Sequence, residues 1–132
     1  MNQITNAQIH KIGCLDMSIY KCISEEYVTE EVIVTEKQLT HIKEQHPEAY
    51  NNTIHYIKDV LERPDYIIQD KRPYTGLVIK RIVSKEKNLL LVLRICTSCD
   101  NEYSNSIITG WEISEARLEN YLRNKSILYR KE

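Results

Sequence analysis

The stretch Leu89 to Thr97, LLLVLRICT, is apolar at almost every position. A strand that is apolar on both faces must be central in its sheet, because an edge or half-exposed strand alternates apolar with polar residues. Alternation places Leu89, Leu91, Leu93 and Ile95 on one face and Leu90, Val92, Arg94 and Cys96 on the other. A guanidinium mid-strand is expensive to desolvate unless it meets an anion or lines a cleft, so Arg94 is a candidate anion binder. On the neighbouring strand Lys80 sits between Val78 and Ile82, and Arg81 between Ile79 and Val83. One of the two faces the core layer at its rim and the other the open side. A second cation on the open face would complete a phosphate-binding floor; a snorkelling surface lysine or arginine is the plainer alternative.

Around this strand the chain of 132 residues reads as one domain with its own core. Residues 1–10 form a polar lead, and Lys11 to Ile23 a short strand or strand pair. Glu25 to Glu31 is a charged turn. Glu31 to Val34 is a strand that runs into a helix capped by Thr35 and Gln38, the two ends of a capping box. Pro47 disfavours helical geometry at His46 and ends that helix. Tyr50, Ile54, Ile57 and Leu61 give one face of a second helix, from about Glu48 to Glu62, stopped by Arg63-Pro64. Strand periodicity follows in 65–69, 76–83, 89–97 and 104–113, with a hairpin turn over Lys85 to Asn88 and a polar loop from Ser98 to Tyr103. Ser114 caps a helix to about Arg123, with Leu118, Tyr121 and Leu122 on its inner face. Ile127 to Tyr129 is a last strand. Segregated runs of this kind predict an α+β fold, with N-terminal helices packed on one face of a four- to five-stranded antiparallel sheet. Residues 1–31 read as an N-terminal extension and 32–132 as the domain.

Two histidines stand close together on the capped helix, in HIKEQH. His46 continues the stripe of Leu39 and Ile42, and His41 flanks it, about 100° from Ile42. A histidine beside an apolar stripe is most often structural. As a pair, one at the flank and one at the helix end, they could supply a base and an acid to one substrate. The helix end favours a charged imidazole at His46, which suits the acid. The spacing of five, with isoleucine after His41, is not the zinc-protease pattern. His55 falls on the solvent side of its helix.

Composition sets the exclusions. Eighteen basic and 19 acidic residues leave a net charge of −1, so no global basic field announces nucleic acid, although a local basic cleft fits within a balanced total. Three glycines and three prolines argue against a long linker. With no apolar run near ~18 residues and no cleavable signal, the expectation is a soluble, cytoplasmic protein without a membrane partner. Cys96-Thr-Ser-Cys99 has the spacing of half a zinc site or of a redox motif, but Cys14 and Cys22 are too far apart to complete a zinc site. Unpaired thiols, no metal and no cofactor are expected.

In the last long strand, strict alternation puts Ile107, Thr109, Trp111 and Ile113 on one face, opposite Ser106, Ile108 and Gly110. A bulge at Gly110 would instead turn Thr109 to the open face with Arg94. Sequence leaves both open.

Taken together, HIKEQHPE on a capped helix, ERPDYII ending the next, VLRI in the meander, then SIITGWEIS and ILYRK resemble one nuclease group. It is the barnase/EndoU/colicin/RelE-like (BECR fold) group of phage and mobile-element polyvalent proteins, and the resemblance runs roughly from Val32 to Lys131. It implies a toxin- or phage-type endoribonuclease that works without metal, by attack of the ribose 2′-hydroxyl to give a cyclic phosphate. His41 and His46 match its histidine positions, and Arg94, with Lys80 as a second candidate, its phosphate binder. Thr109 and Tyr129 match polar positions at the phosphate, with Ser106 beside them as a substrate-binding candidate. RNA is the implied partner, with an inhibitor or immunity protein as another. A non-catalytic RNA- or protein-binding module on the same scaffold is the alternative.

Overall fold

The computed structural model describes residues 9–83, 86–97 and 104–131. The lead 1–8, Lys85 of the hairpin turn, the loop Ser98–Tyr103 and its Cys99 lie outside the described residues. In chain order the elements are β1 (Ile9–Cys14), α1 (Met17–Tyr20), β2 (Glu31–Thr35), α2 (Glu36–Gln45) and α3 (Pro47–Glu62). They continue with β3 (Tyr66–Gln69), β4 (Thr75–Ile82), β5 (Lys87–Arg94), β6 (Asn105–Ile113), α4 (Glu115–Asn124) and β7 (Ile127–Arg130).

The apolar run is central, as its composition requires. β5 pairs antiparallel with β4 on one side and β6 on the other, and Leu89 through Leu93 are all 0% exposed. Leu89, Leu91 and Leu93 pack with Leu15, Tyr20, Val60 and Leu61, from the α1 and α3 side. Leu90 and Val92 pack with Leu118 and, at its margin, Tyr121 and Leu122 of α4 on the opposite face. The Tyr20 hydroxyl donates to the Leu61 carbonyl at 2.6 Å and so ties α1 to the end of α3. Burial, reinforced by Cys22, Tyr129 and Asp16 nearby, pushes that phenol well above its ordinary pKa.

These observations correct the expected four- to five-stranded antiparallel sheet with helices on one face. Among the described residues the sheet has seven strands, in the order β1-β2-β6-β5-β4-β3-β7, and it is mixed. β2 leaves the sheet into α2, and three further strands form before β6 returns alongside it in parallel, with Val32 opposite Asn105 and Ile33 opposite Ser106. β1 adds to β2 on one edge and β7 to β3 on the other. Residues 9–20 therefore sit in the sheet and core, where Leu15 and Tyr20 are buried.

The junction of β2 and β6 is pinned by one side chain. Asn105, 0% exposed, donates through Nδ2 to the carbonyls of Thr29 (2.8 Å) and Glu31 (2.9 Å). Its Oδ1 accepts from the Cys96 N–H at 2.8 Å, at the end of β5.

Candidate functional site

Thr35 starts α2 with the complete capping box: Gln38 N–H donates to Thr35 Oγ1 at 3.1 Å, and Thr35 N–H to Gln38 Oε1 at 3.0 Å. Pro47 does end α2, and it also begins α3 as its first residue. His46 is thus shared. Its N–H donates to the Ile42 carbonyl at 2.8 Å and its own carbonyl accepts from Ala49 at 3.0 Å. With φ −137° and ψ 58° it is the corner between the two helices. The negative end of α2 and the positive end of α3 both meet there, so the field expected from α2 alone is offset.

At that corner the His46 ring stacks on Trp111 of β6, with centroids 5.5 Å apart and planes 29° from parallel. Where Trp111 points is set by a bulge. The register passes from Val92 opposite Thr109 to Leu93 opposite Ile107, which leaves Ile108 as the extra residue. Ile107 then joins Leu93 on the α1/α3 face, whereas Thr109, Trp111 and Ile113 lie opposite Val92, Leu90 and Asn88 on the α4 face. Ser106 lies opposite Arg94 on that same face. The irregularity falls just before Gly110, and its effect is to put Thr109 on the face of Arg94.

Arg94, Ser106, Thr109 and Trp111 therefore form a row on one face, ending at His46. Arg94 is half-buried and lines a cleft of about 350 Å³ with Arg72, Pro73, Thr75 and Ile108. Thr109 Oγ1 is enclosed without a hydrogen-bond partner among the described residues. An unmatched hydroxyl of that kind costs about 1–3 kcal/mol.

The other expected positions lie elsewhere. His41 is exposed on α2, with no hydrogen bond or ring contact among the described residues. Lys80 is opposite Leu89 on the α1/α3 face, and its Nζ donates to the Arg63 carbonyl at 2.8 Å, capping the end of α3. Arg81 shares the face of Arg94 but sits at the far end of β4, paired with Glu115. The Asn88 amide, and then Arg81, hold the Glu115 carboxyl below its ordinary pKa against some desolvation. Tyr129, opposite Ile67, packs into the core on the α1/α3 side, away from Arg94.

Sequence reasoning passed over Arg72, Asn105 and the role of Trp111. The signal for Arg72 was present, a short DKRPYT turn with two adjacent cations and a proline. Nothing in a lone asparagine or tryptophan marked the other two.

Among the described residues no three His, Cys, Asp or Glu side chains converge as a metal site, and no helix is long and apolar enough to cross a membrane. Among the described residues Cys14 and Cys22 are free thiols. No curated protein and no solved structure matches the chain significantly. A family model does, over residues 7–130, nearly the whole described structure including β1 and α1. With that match spanning the helix corner, the bulged strand and the arginine cleft alike, the chain belongs to the family described as phage-Barnase-EndoU-ColicinE5/D-RelE like nuclease 2.

Proposed function

We propose that this nuclease cleaves RNA, in the cytoplasm and without a metal ion, by making the ribose its own nucleophile. O2′ attacks the adjacent phosphorus, the P–O5′ bond breaks, and a 2′,3′-cyclic phosphate and a 5′-hydroxyl result. The 2′-hydroxyl proton goes to a base, and the departing O5′ takes one from an acid. The observation that carries this reading is the row on the α4 face, which gathers Arg94, Ser106 and Thr109 and ends at the His46–Trp111 stack.

Each group has a part. Arg94 binds the scissile phosphate and offsets the charge that grows on its oxygens, with Ser106 and Thr109 behind it on the same face. Thr109 and Trp111 are two residues apart on one strand, about 7 Å, so the His46–Trp111 stack follows Thr109 along the row. His46 protonates O5′, and His41, less directly placed on α2, takes the 2′-hydroxyl proton.

The test is cleavage of a single-stranded RNA by purified protein in excess chelator, with end-group analysis of the products. Cyclic phosphate ends formed at an undiminished rate are expected. Activity lost to chelator and restored by magnesium or zinc would replace this mechanism with a metal-assisted one. Binding without cleavage under any condition would leave a non-catalytic module.

A further inference from the structure

The turn between β3 and β4 carries chemistry that the row above does not use. Asp70 anchors it: Oδ2 accepts from Arg72 Nε at 2.6 Å and from the Arg72 backbone N–H at 3.1 Å. The Asp70 side chain is 12% exposed, whereas that of Arg72 is 51% exposed. Burial works against the Asp70 anion, yet the Arg72 hydrogen bonds and charge, with Lys125 nearby, hold its carboxyl below its ordinary pKa. The backbone is fixed as well. Asp70 N–H donates to the Thr75 carbonyl at 3.2 Å, Thr75 Oγ1 to Pro73 at 2.9 Å, and Ile95 N–H to Tyr74 at 2.8 Å. Tyr74 is held at φ 57°, a left-handed conformation unfavourable for any residue but glycine.

What this turn presents is one guanidinium. Its Nε edge is engaged by Asp70, which leaves the terminal nitrogens for a ligand. The same cleft is lined by Arg94, Pro73, Thr75 and Ile108, and among the described residues its lining holds no carboxylate. Two guanidiniums on one cleft suit the oxygens of a phosphate. A cleft of about 350 Å³ admits one nucleotide unit, so the strand that enters it is unpaired there.

We infer that Arg72 and Arg94 form a backbone-phosphate subsite for single-stranded RNA, with Asp70 as the positioning residue. The inference rests on RNA being the substrate and adds a contact that neither the family match nor the row on β6 assigns. The probe is a 2′-O-methyl RNA oligonucleotide, which lacks the nucleophile, followed by fluorescence anisotropy at several salt concentrations. Arg72→Ala should weaken binding about 10-fold and lower the salt slope by about 0.7, the share of one single-strand phosphate contact. Arg72→Lys should keep the slope and recover part of the affinity. Asp70→Asn removes a negative charge, so a mere field effect predicts tighter binding, whereas loss of positioning predicts weaker. Unchanged affinity and slope in Arg72→Ala, or tighter binding in Asp70→Asn, overturns the subsite. Cleavage of unmodified RNA separates the two ideas. A wild-type protein that binds with this dependence on Arg72 but never cleaves upholds the subsite and ends the catalytic reading.

Discussion

His46 and His41 have unequal surroundings, and their contributions should be unequal too. His46 is fixed by two backbone hydrogen bonds and a stacked tryptophan, at the end of the row that holds Arg94. His41 is exposed on α2. His46→Ala should slow RNA cleavage by about 10² to 10⁴-fold, the range for loss of one general acid or base. His41→Ala should cost less, and each variant should lose a different limb of the pH–rate profile. Equal rates for both variants and the parent would end the catalytic assignment. Arg94→Lys keeps the charge and loses the planar fork, so cleavage should fall about 10 to 100-fold with the circular dichroism spectrum unchanged. Arg94 was legible in the sequence because a cation between Leu93 and Ile95 must be accounted for. Lys80 could not be placed that way. Its flexible stem reaches back to the Arg63 carbonyl, and alternation alone does not say which face carries a helix end.

At the scale of elements, α2 was the most legible, since capping box and proline are local chemistry and both are realised. β6 was the least. Ile107 and Ile108 are both apolar, so the pattern reads equally well on either side of an extra residue, and only pairing with β5 reveals where the bulge falls. The start of that strand depends on Asn105. Asn105→Leu would leave the Thr29 and Glu31 carbonyls and the Cys96 N–H without their partner. A loss of roughly 3–5 kcal/mol in urea unfolding is expected, as for other broken buried networks. A cost within ~0.5 kcal/mol would show that the junction is held otherwise. Gly110, two residues past the bulge, has a packing reason: a Cβ there would lie 2.9 Å from Leu91 Cδ2 and 3.2 Å from the Leu90 carbonyl. Gly110→Ala should destabilise by about 1–3 kcal/mol through overpacking.

For the molecule as a whole, the apolar run of β5 implies more than a central position. A strand apolar on both faces needs cover on both, and α4 supplies the second cover through Leu118, Tyr121 and Leu122. The parallel pairing of β2 with β6 had no local signal, because it joins segments some seventy residues apart. The cover is fastened at the first residue of α4, where Glu115 accepts from Asn88 Nδ2 at 2.9 Å and pairs with Arg81. This fastening should depend on pH in a definite sense. The Glu115 carboxyl is held below its ordinary pKa in the folded protein, chiefly by the Asn88 hydrogen bond. The unfolded chain therefore binds the proton more readily, and the stabilisation is complete above the unfolded value of about 4.3. It is lost as pH falls through the lower folded value. Glu115→Gln removes the titration and the ion pair while keeping an acceptor for Asn88. Urea midpoints should favour the parent at pH 7, and the gap should close as pH is lowered below about 4. A gap that persists in acid would assign the effect of the substitution to lost packing at the start of α4, with the carboxylate charge contributing nothing to how the second face is covered.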